Sequence, residues 1–163
     1  MGVRNCGELG LNLQKIVQRL MANDDLVKLL YYEDKDPLSR EALTKEQKEK
    51  EIYQKLIRIV PQYSEDDSNK SVLIICVNKG SKIPGNKEFV KLEILIEVFV
   101  PFEQWLIKDT NLRPFAILGK IQEALEGKTI NGLGKIEGGD FDLVNLSTKS
   151  SVYAQVFYIT EYD

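Results

Sequence analysis

Gly127, Lys128 and Thr129 form the triplet with which a phosphate-binding loop ends, and a burst of glycines follows them in "EGKTINGLGKIEGG". Such a loop needs an earlier glycine, at position 122 here, and lies between a strand and a helix whose free N–H groups hold the phosphate. This chain has Gln122 there, and the preceding residues have helical apolar spacing. The stretch therefore predicts a helix that ends at Gly127, with Lys128 beside the negative end of its dipole, and no nucleotide site. The apolar positions of this helix are Phe115, Leu118, Ile121 and Leu125.

The glycines at 132, 134, 138 and 139 resemble a dinucleotide fingerprint only loosely. That fingerprint follows a strand and opens a helix. Here a helix comes before it, and the sequence after Gly139, "DFDLVNLST", alternates as a strand does. These glycines predict a turn-rich connection.

Few residue types suited to acid–base or metal chemistry are present. The chain has no histidine, which removes the usual general base near neutral pH and the commonest metal ligand. Its two cysteines, Cys6 and Cys76, form neither a metal set nor a disulfide framework. Cys76 lies in the apolar run "SVLIICV", where we expect a small core residue. We expect no enzyme activity, no cofactor and no metal.

The composition is that of a soluble globular protein, with 43% hydrophobic and 29% charged residues. Its 163 residues predict a single domain, residues 1–163, with a substantial core. The net charge of −3 provides no general field that favours nucleic acid. No apolar run approaches the roughly 20 residues of a membrane-spanning helix, so we expect no membrane association.

The N-terminal third predicts helices. Residues 13–21 carry one apolar stripe, and Asn23 or Asp24 breaks this helix and caps a second, short one. Residues 45–56 favour a solvated helix because few of them are apolar, and residues 56–60 favour a short strand. The stripe of the first helix consists of Leu13, Ile16, Val17, Leu20 and Met21.

The rest of the chain predicts two β-hairpins around one helix. Residues 71–77 and 89–101 form the first hairpin, and every even position of the second strand is apolar. A helix over 112–126 follows, with Pro114 in its first turn, and then strands over 141–146 and 152–159. This order predicts an α+β fold, a mostly antiparallel sheet of two hairpins packed with the N-terminal helices and one central helix.

Five residues are candidates for contacts with other molecules. Leu95 and Phe99 lie on the otherwise polar side of the long strand, either as ordinary exposed residues or as a second buried face against a neighbouring subunit. Lys79, Lys82 and Lys87 belong to a long hairpin connection, either as a solvated loop or as contacts to a partner or to DNA phosphates.

A long block of the chain, "FVPFEQWLIKDTNLRPFAILGKIQEALEGKTINGLGKI" followed by "FDLVNLSTKSSVYAQVFYIT", resembles the tail terminator and tail-completion proteins of tailed bacteriophages. A long strand leads to a helix of "P-F-A-I-L-G-K-I" character, and two strands close the chain with "Y-x-x-x-F-x-I-T". The phrases "LVKLLYYEDKDPLS" and "IRIVP" are similar to such virion proteins as well, so the resemblance covers residues 9–163.

The resemblance implies a ring, commonly hexameric, that caps the tail tube and meets the head connector. It places the protein in the tail or neck of the virion, and in the host cytoplasm before assembly. DNA passes through such a ring. Two alternatives stay open: another head–tail joining or neck protein, and a small ligand-binding or nucleic-acid-binding domain.

Overall fold

The structure is a computed structural model that describes residues 6–160, apart from the side chain of Thr110. Its helices are α1 (Leu9–Met21), α2 (Asp24–Tyr31), α3 (Lys45–Gln47, continued by a π-helical turn over Lys48–Ile52) and α4 (Arg113–Leu125). Its strands are β1 (Ile57–Arg58), β2 (Val72–Ser81), β3 (Lys91–Pro101), β4 (Leu106–Ile107), β5 (Asn111–Leu112), β6 (Thr129–Ile130), β7 (Gly134–Leu146) and β8 (Ser150–Thr160). None of the helices in this part of the chain is long and apolar enough to cross a membrane.

Six strands form one sheet in the order β1-β2-β3-β8-β7-β6, and β4 and β5 form a small separate pair. The hairpins β2–β3 and β7–β8 meet through the pairing of β3 with β8. All these pairs are antiparallel except the short parallel pair of β1 with β2. The predicted α+β fold, with its two hairpins and central helix, is confirmed.

Helices cover one face of the sheet, which we call the helix face. The even residues of β3 point to it, and Leu92, Ile94 and Ile96 are at most 3% exposed. The predicted cap is confirmed, because the Asn23 side chain accepts a hydrogen bond from the Leu26 amide at the start of α2. The predicted helix end is confirmed too, since Gly127 has φ +72°, a conformation that favours glycine.

Several strand bounds differ from the sequence-based expectation. The prediction of a turn-rich connection is wrong from Gly134 onward, because β7 begins there and runs through Gly138 and Gly139. Strand β2 continues to Ser81, beyond the predicted end at residue 77, and β3 begins at Lys91 and not at 89. Glycine marks turns and irregular strands alike, so composition does not separate the two.

Arg113, at the start of α4, is completely buried and binds only backbone oxygens. Its guanidinium donates to the carbonyl oxygens of Gln104 (2.8 Å), Leu29 (2.5 Å), Tyr32 (2.9 Å) and Asp34 (2.6 Å). Burial lowers the pKa of Arg113, and the nearby charges of Asp34 and Glu33 oppose that shift. One side chain therefore joins the end of α2 to the beginning of α4.

Replacing Arg113 by Met should lower the free energy of unfolding by about 3 kcal/mol or more, because four carbonyl groups lose their donor and two of these hydrogen bonds are fully buried. Urea denaturation of both proteins measures the difference. The control is Arg40→Met, since Arg40 is about half exposed in its ion pair with Asp34 and should change stability by less than about 1 kcal/mol. Equal losses in the two variants would contradict the role given to Arg113.

The opposite face of the sheet, here called the open face, is covered in part by residues 59–70. Tyr63 stacks on Phe99 of β3 with ring centroids 4.2 Å apart. A bidentate ion pair between Arg58 and Asp67, with one N–O distance of 2.8 Å, holds this segment. The hydrogen bonds from Arg58 keep the pKa of Asp67 far below its usual range. Phe99, at 9% exposure, is thus buried by its own chain.

Phe99→Ala should lower the free energy of unfolding by about 3 kcal/mol, because it removes a buried ring and its stacking contact with Tyr63. The same substitution at Phe102, which is 40% exposed, should lower it by about 1 kcal/mol or less. Thermal and urea unfolding of the two variants test this contrast. A smaller loss for Phe99→Ala than for Phe102→Ala would show that the residue 59–70 segment does not form a stable cover.

Candidate interaction surface

Five aromatic side chains meet at the margin of the helix face and form what we call the aromatic cluster. Phe115 of α4 makes edge-to-face contacts with Tyr153 of β8, at 5.3 Å between centroids, and with Phe141 of β7, at 6.5 Å. Trp105 contacts Phe115, Tyr153 and Phe102 at 5.8–6.4 Å. Its indole N–H donates to Ser151 Oγ at 3.0 Å, which fixes the ring against β8.

The aromatic cluster is only half covered. Phe102 and Phe115 are each 40% exposed and Phe141 is 48% exposed. The sequence placed Phe115 on the apolar stripe of α4, and the structure corrects this assignment. The buried side of α4 contains Pro114, Ile117, Leu118, Ile121 and Leu125. Phe115 instead lies beside that stripe and extends the apolar surface toward β7.

The second half of β7 is exposed on both faces of the sheet, over residues 140–146. The end of α4 lies beside Ile136 and Gly138 in the first part of β7. Beyond that point the contact of Phe115 with Phe141 leaves residues 140–146 exposed. Seven of the thirteen exposed large apolar side chains in residues 6–160 belong to this half-strand or adjoin the aromatic cluster. They are Phe102, Leu106, Phe115, Phe141, Leu143, Val144 and Leu146, each between 40% and 62% exposed. Such a concentration is typical of a surface that binds another macromolecule.

Gln155 of β8 holds the exposed half of β7 in place. Its side chain is 1% exposed and accepts a hydrogen bond from Gln122 of α4 at 2.9 Å. It donates in turn to the carbonyl oxygen of Gly139 at 2.7 Å. Gly139 lies where the β7–β8 register shifts, between Gly138 and Phe141. A Cβ on Gly139 would come within 2.6 Å of the Tyr158 ring, so a larger residue there would displace the strand or the ring.

The triplet Gly127, Lys128 and Thr129 does not offer its amides to a phosphate. The Gly127 N–H donates to the carbonyl oxygen of Ile136 at 2.8 Å, and the Lys128 N–H donates to that of Leu125 at 3.1 Å. Thr129 belongs to β6 and pairs with Lys135. This part of the chain therefore closes α4 onto β7, as helix end and connection.

The two apolar candidates on the open face have different environments. Leu95 of β3 is half-buried, and it pairs with Cys76 of β2, which is also half-buried. Burial raises the pKa of the Cys76 thiol. Phe99 lies under Tyr63 and offers a neighbour little surface. A contact between either residue and another subunit stays a prediction, which the burial of Phe99 does not favour.

The three candidate lysines lie near one end of the β2–β3 hairpin, all exposed. Lys79 belongs to β2 and not to the connection, which corrects the sequence-based boundary. Lys82 places its ammonium group 4.7 Å from the centroid of the Phe89 ring, a cation–π contact that draws the connection onto the sheet. Lys87 lies in the turn that contains Gly85, at φ +88°. Their role as contacts stays a prediction.

The aromatic cluster and the exposed half of β7 were not predicted from the sequence. The signal in the sequence was the segment "FDLVNL" after Asp140, in which five of the six residues are uncharged and four are apolar. The alternation of this segment predicts strand β7 but not its exposure, because exposure depends on how far α4 extends over the sheet.

The protein-family model YomW matches residues 23–159, which is 137 of the 163 residues. No curated protein matches the chain. YomW is a phage-associated, SPBc2 prophage-like family, so the phage origin implied by the resemblance is supported at this level. Since the match covers well over half of the chain, including α2 to α4, β1 to β7 and β8 as far as Ile159, the chain belongs to the YomW family.

Proposed function

We propose that this chain is a structural protein of a phage virion, a tail terminator that forms a ring on the end of the tail tube, and not an enzyme. The observation that carries the proposal is the exposed apolar surface formed by the aromatic cluster and the second half of β7. A virion protein that assembles needs such a surface, whereas a soluble monomer rarely exposes one. Membership of a phage-associated family supports the same function.

A ring requires two different surfaces on each subunit, because each copy contacts one neighbour on each side. The aromatic cluster and β7 lie toward one margin of the sheet, and Lys79 lies on β2 toward the opposite margin. The two margins differ in chemistry, since the first is aromatic and acidic and the second is polar and basic. This asymmetry supports a head-to-tail ring, commonly of six subunits in proteins of this kind.

The proposed mechanism of termination is geometric. One side of the ring offers the surface that the next layer of tube protein would offer, and the other side does not, so polymerisation stops. The connection of residues 82–90 is longer than the two to five residues that a hairpin needs. It is a candidate to reach the tube protein or the head-connector and neck proteins, and its lysines are candidates to face DNA in the lumen.

The alternative within the same class is a head–tail joining protein. Both roles use an exposed surface, but loss of each has a different effect on tail length. A missing terminator leaves tube growth unchecked, whereas a missing joining protein leaves tails of normal length without heads.

Tail length in the electron microscope tests the proposal. Purified tube protein should form tubes of limited length with the wild-type chain and longer tubes with the variant Phe115→Ser/Phe141→Ser, which makes the aromatic cluster polar. The control is Tyr31→Ser, because Tyr31 is 38% exposed and lies on α2, away from the cluster. It should limit the tubes as the wild type does.

Circular dichroism should show that the two variants remain folded. Tubes of equal length with and without the wild-type chain would contradict a terminator role. Particles that lack the chain but have tails of normal length and no heads would favour the joining protein.

A further inference from the structure

Two strands of the sheet have unpaired outer edges, since each outer neighbour is only two residues long. Strand β1 pairs with Leu73 and Ile74 of β2. Strand β6 pairs with Gly134 and Lys135 of β7. Within residues 6–160, no strand pairs with the outer side of residues 76–81 of β2 or with the outer side of residues 140–146 of β7. Unpaired edges of this kind are templates for a strand from another chain.

The directions of these strands allow them to pair with each other between copies. Strand β2 is antiparallel to β3, β3 to β8, and β8 to β7. Strand β7 therefore runs opposite to β2. If a second copy is placed beside the first by rotation alone, β7 of one copy and β2 of the next meet as an antiparallel pair. The alternation of the sheet continues from copy to copy.

The charges of the two edges are complementary. Asp140 and Asp142 are exposed on β7, and Lys79 is exposed on β2. In the described part of the chain, none of the three makes an ion pair within 4 Å. Asp142 pairs with Ala154, and Lys79 pairs with Glu93, so both side chains lie on the open face.

The same charges disfavour the symmetric alternatives. Two β7 edges paired with each other would bring the aspartates of both copies together, and two β2 edges would bring their Lys79 residues together. Like charges directly opposite in a sheet are destabilising. Only the pairing of β7 with β2 places opposite charges across the contact.

We propose that copies of this chain join head to tail by antiparallel pairing of residues 140–146 of β7 with residues 76–81 of β2 in the next copy, with Asp142 opposite Lys79. In this register Phe141 is opposite Gly80. The Phe89 ring already covers Gly80, since a Cβ there would come within 2.7 Å of it. The aromatic cluster of one copy therefore continues onto Phe89 of the next copy.

The pairing also explains how a chain of copies closes. The β2 edge is level with the Gly138 end of β7, and the free β7 edge is level with the Val72 end of β2, so the two edges lie at opposite ends of the strands. Neighbouring copies are then staggered along the strands. A closed sheet takes up such stagger by tilting its strands relative to the axis. Strand bulges between Val77 and Lys79 and between Leu143 and Asn145 restrict the regular pairing to a few residues. Each contact between two copies is therefore weak by itself. A closed ring is more stable than an open chain of copies because it leaves no edge unpaired.

This inference rests on the self-assembly in the proposed function and not on the tail-terminator role. Cysteine cross-linking tests it. The full chain carries Cys6→Ser and Cys76→Ala to remove its own thiols, and Lys79→Cys with Asp142→Cys to place one thiol on each edge. Directly opposite residues of an antiparallel pair have Cβ atoms close enough for a disulfide. Oxidation, with the chain alone and with the chain on tail tubes, should give a ladder of disulfide-linked multimers that a reductant dissolves.

The matched control keeps Lys79→Cys and replaces Asp142→Cys by Glu123→Cys, because Glu123 is exposed on α4, away from β7. It should give less than about a tenth of the cross-linked product. A second measurement does not depend on disulfide geometry: Lys79→Glu and Asp142→Lys should each weaken assembly about two- to fivefold, as expected for an exposed ion pair, and the two together should restore it.

The outcomes separate the two proposals. Rings that form without cross-links and without charge rescue would overturn the strand pairing and leave the ring intact. A ladder that stops at two copies would support the pairing and overturn the ring. Cross-linking by Asp142→Cys alone would show β7–β7 pairing and overturn the inference. A chain that stays monomeric both alone and on tubes would overturn both.

Discussion

The buried guanidinium of Arg113 is the interaction on which the arrangement of the helices depends. Its four hydrogen bonds join the end of α2 to the start of α4 through backbone oxygens alone. Gln104 extends this network, since its side chain accepts from Ser71 and donates to the carbonyl oxygen of Asn69, three residues before β2 begins. Because a buried donor group with five N–H bonds must be satisfied, this network permits few alternative positions for α4.

The position of α4 in turn determines which part of the sheet is exposed. The helix packs on β3, contacts β8 through Gln122 and Phe115, and ends beside the first part of β7. The second half of β7 extends beyond the helix, where Gln155 holds it through Gly139. The exposed apolar surface therefore results from a mismatch in length between a short helix and a long strand, and it does not result from poor packing.

Much of the fold could be predicted from local patterns, whereas the candidate site could not. The alternation in β3 and the cap at Asn23 are short-range signals, and both correspond to observed elements. Gly134 was assigned to a turn because glycine is common both in turns and in irregular strands. The helical spacing of Phe115 assigns it to the core, but the buried residue at this place in α4 is its neighbour Pro114. Burial of Arg113 and exposure of Phe141 depend on tertiary contacts, which no local pattern contains.

Family membership establishes a phage association, and the geometry supports a subunit that assembles through unlike edges of its sheet. Cryo-electron microscopy of tail tubes capped with this protein tests that central claim most directly. The account predicts one closed ring at a single end of each tube, with the sheet continuous from β7 of one copy to β2 of the next. Copies bound along the sides of the tube, or a ring whose subunits meet through other surfaces, would contradict it.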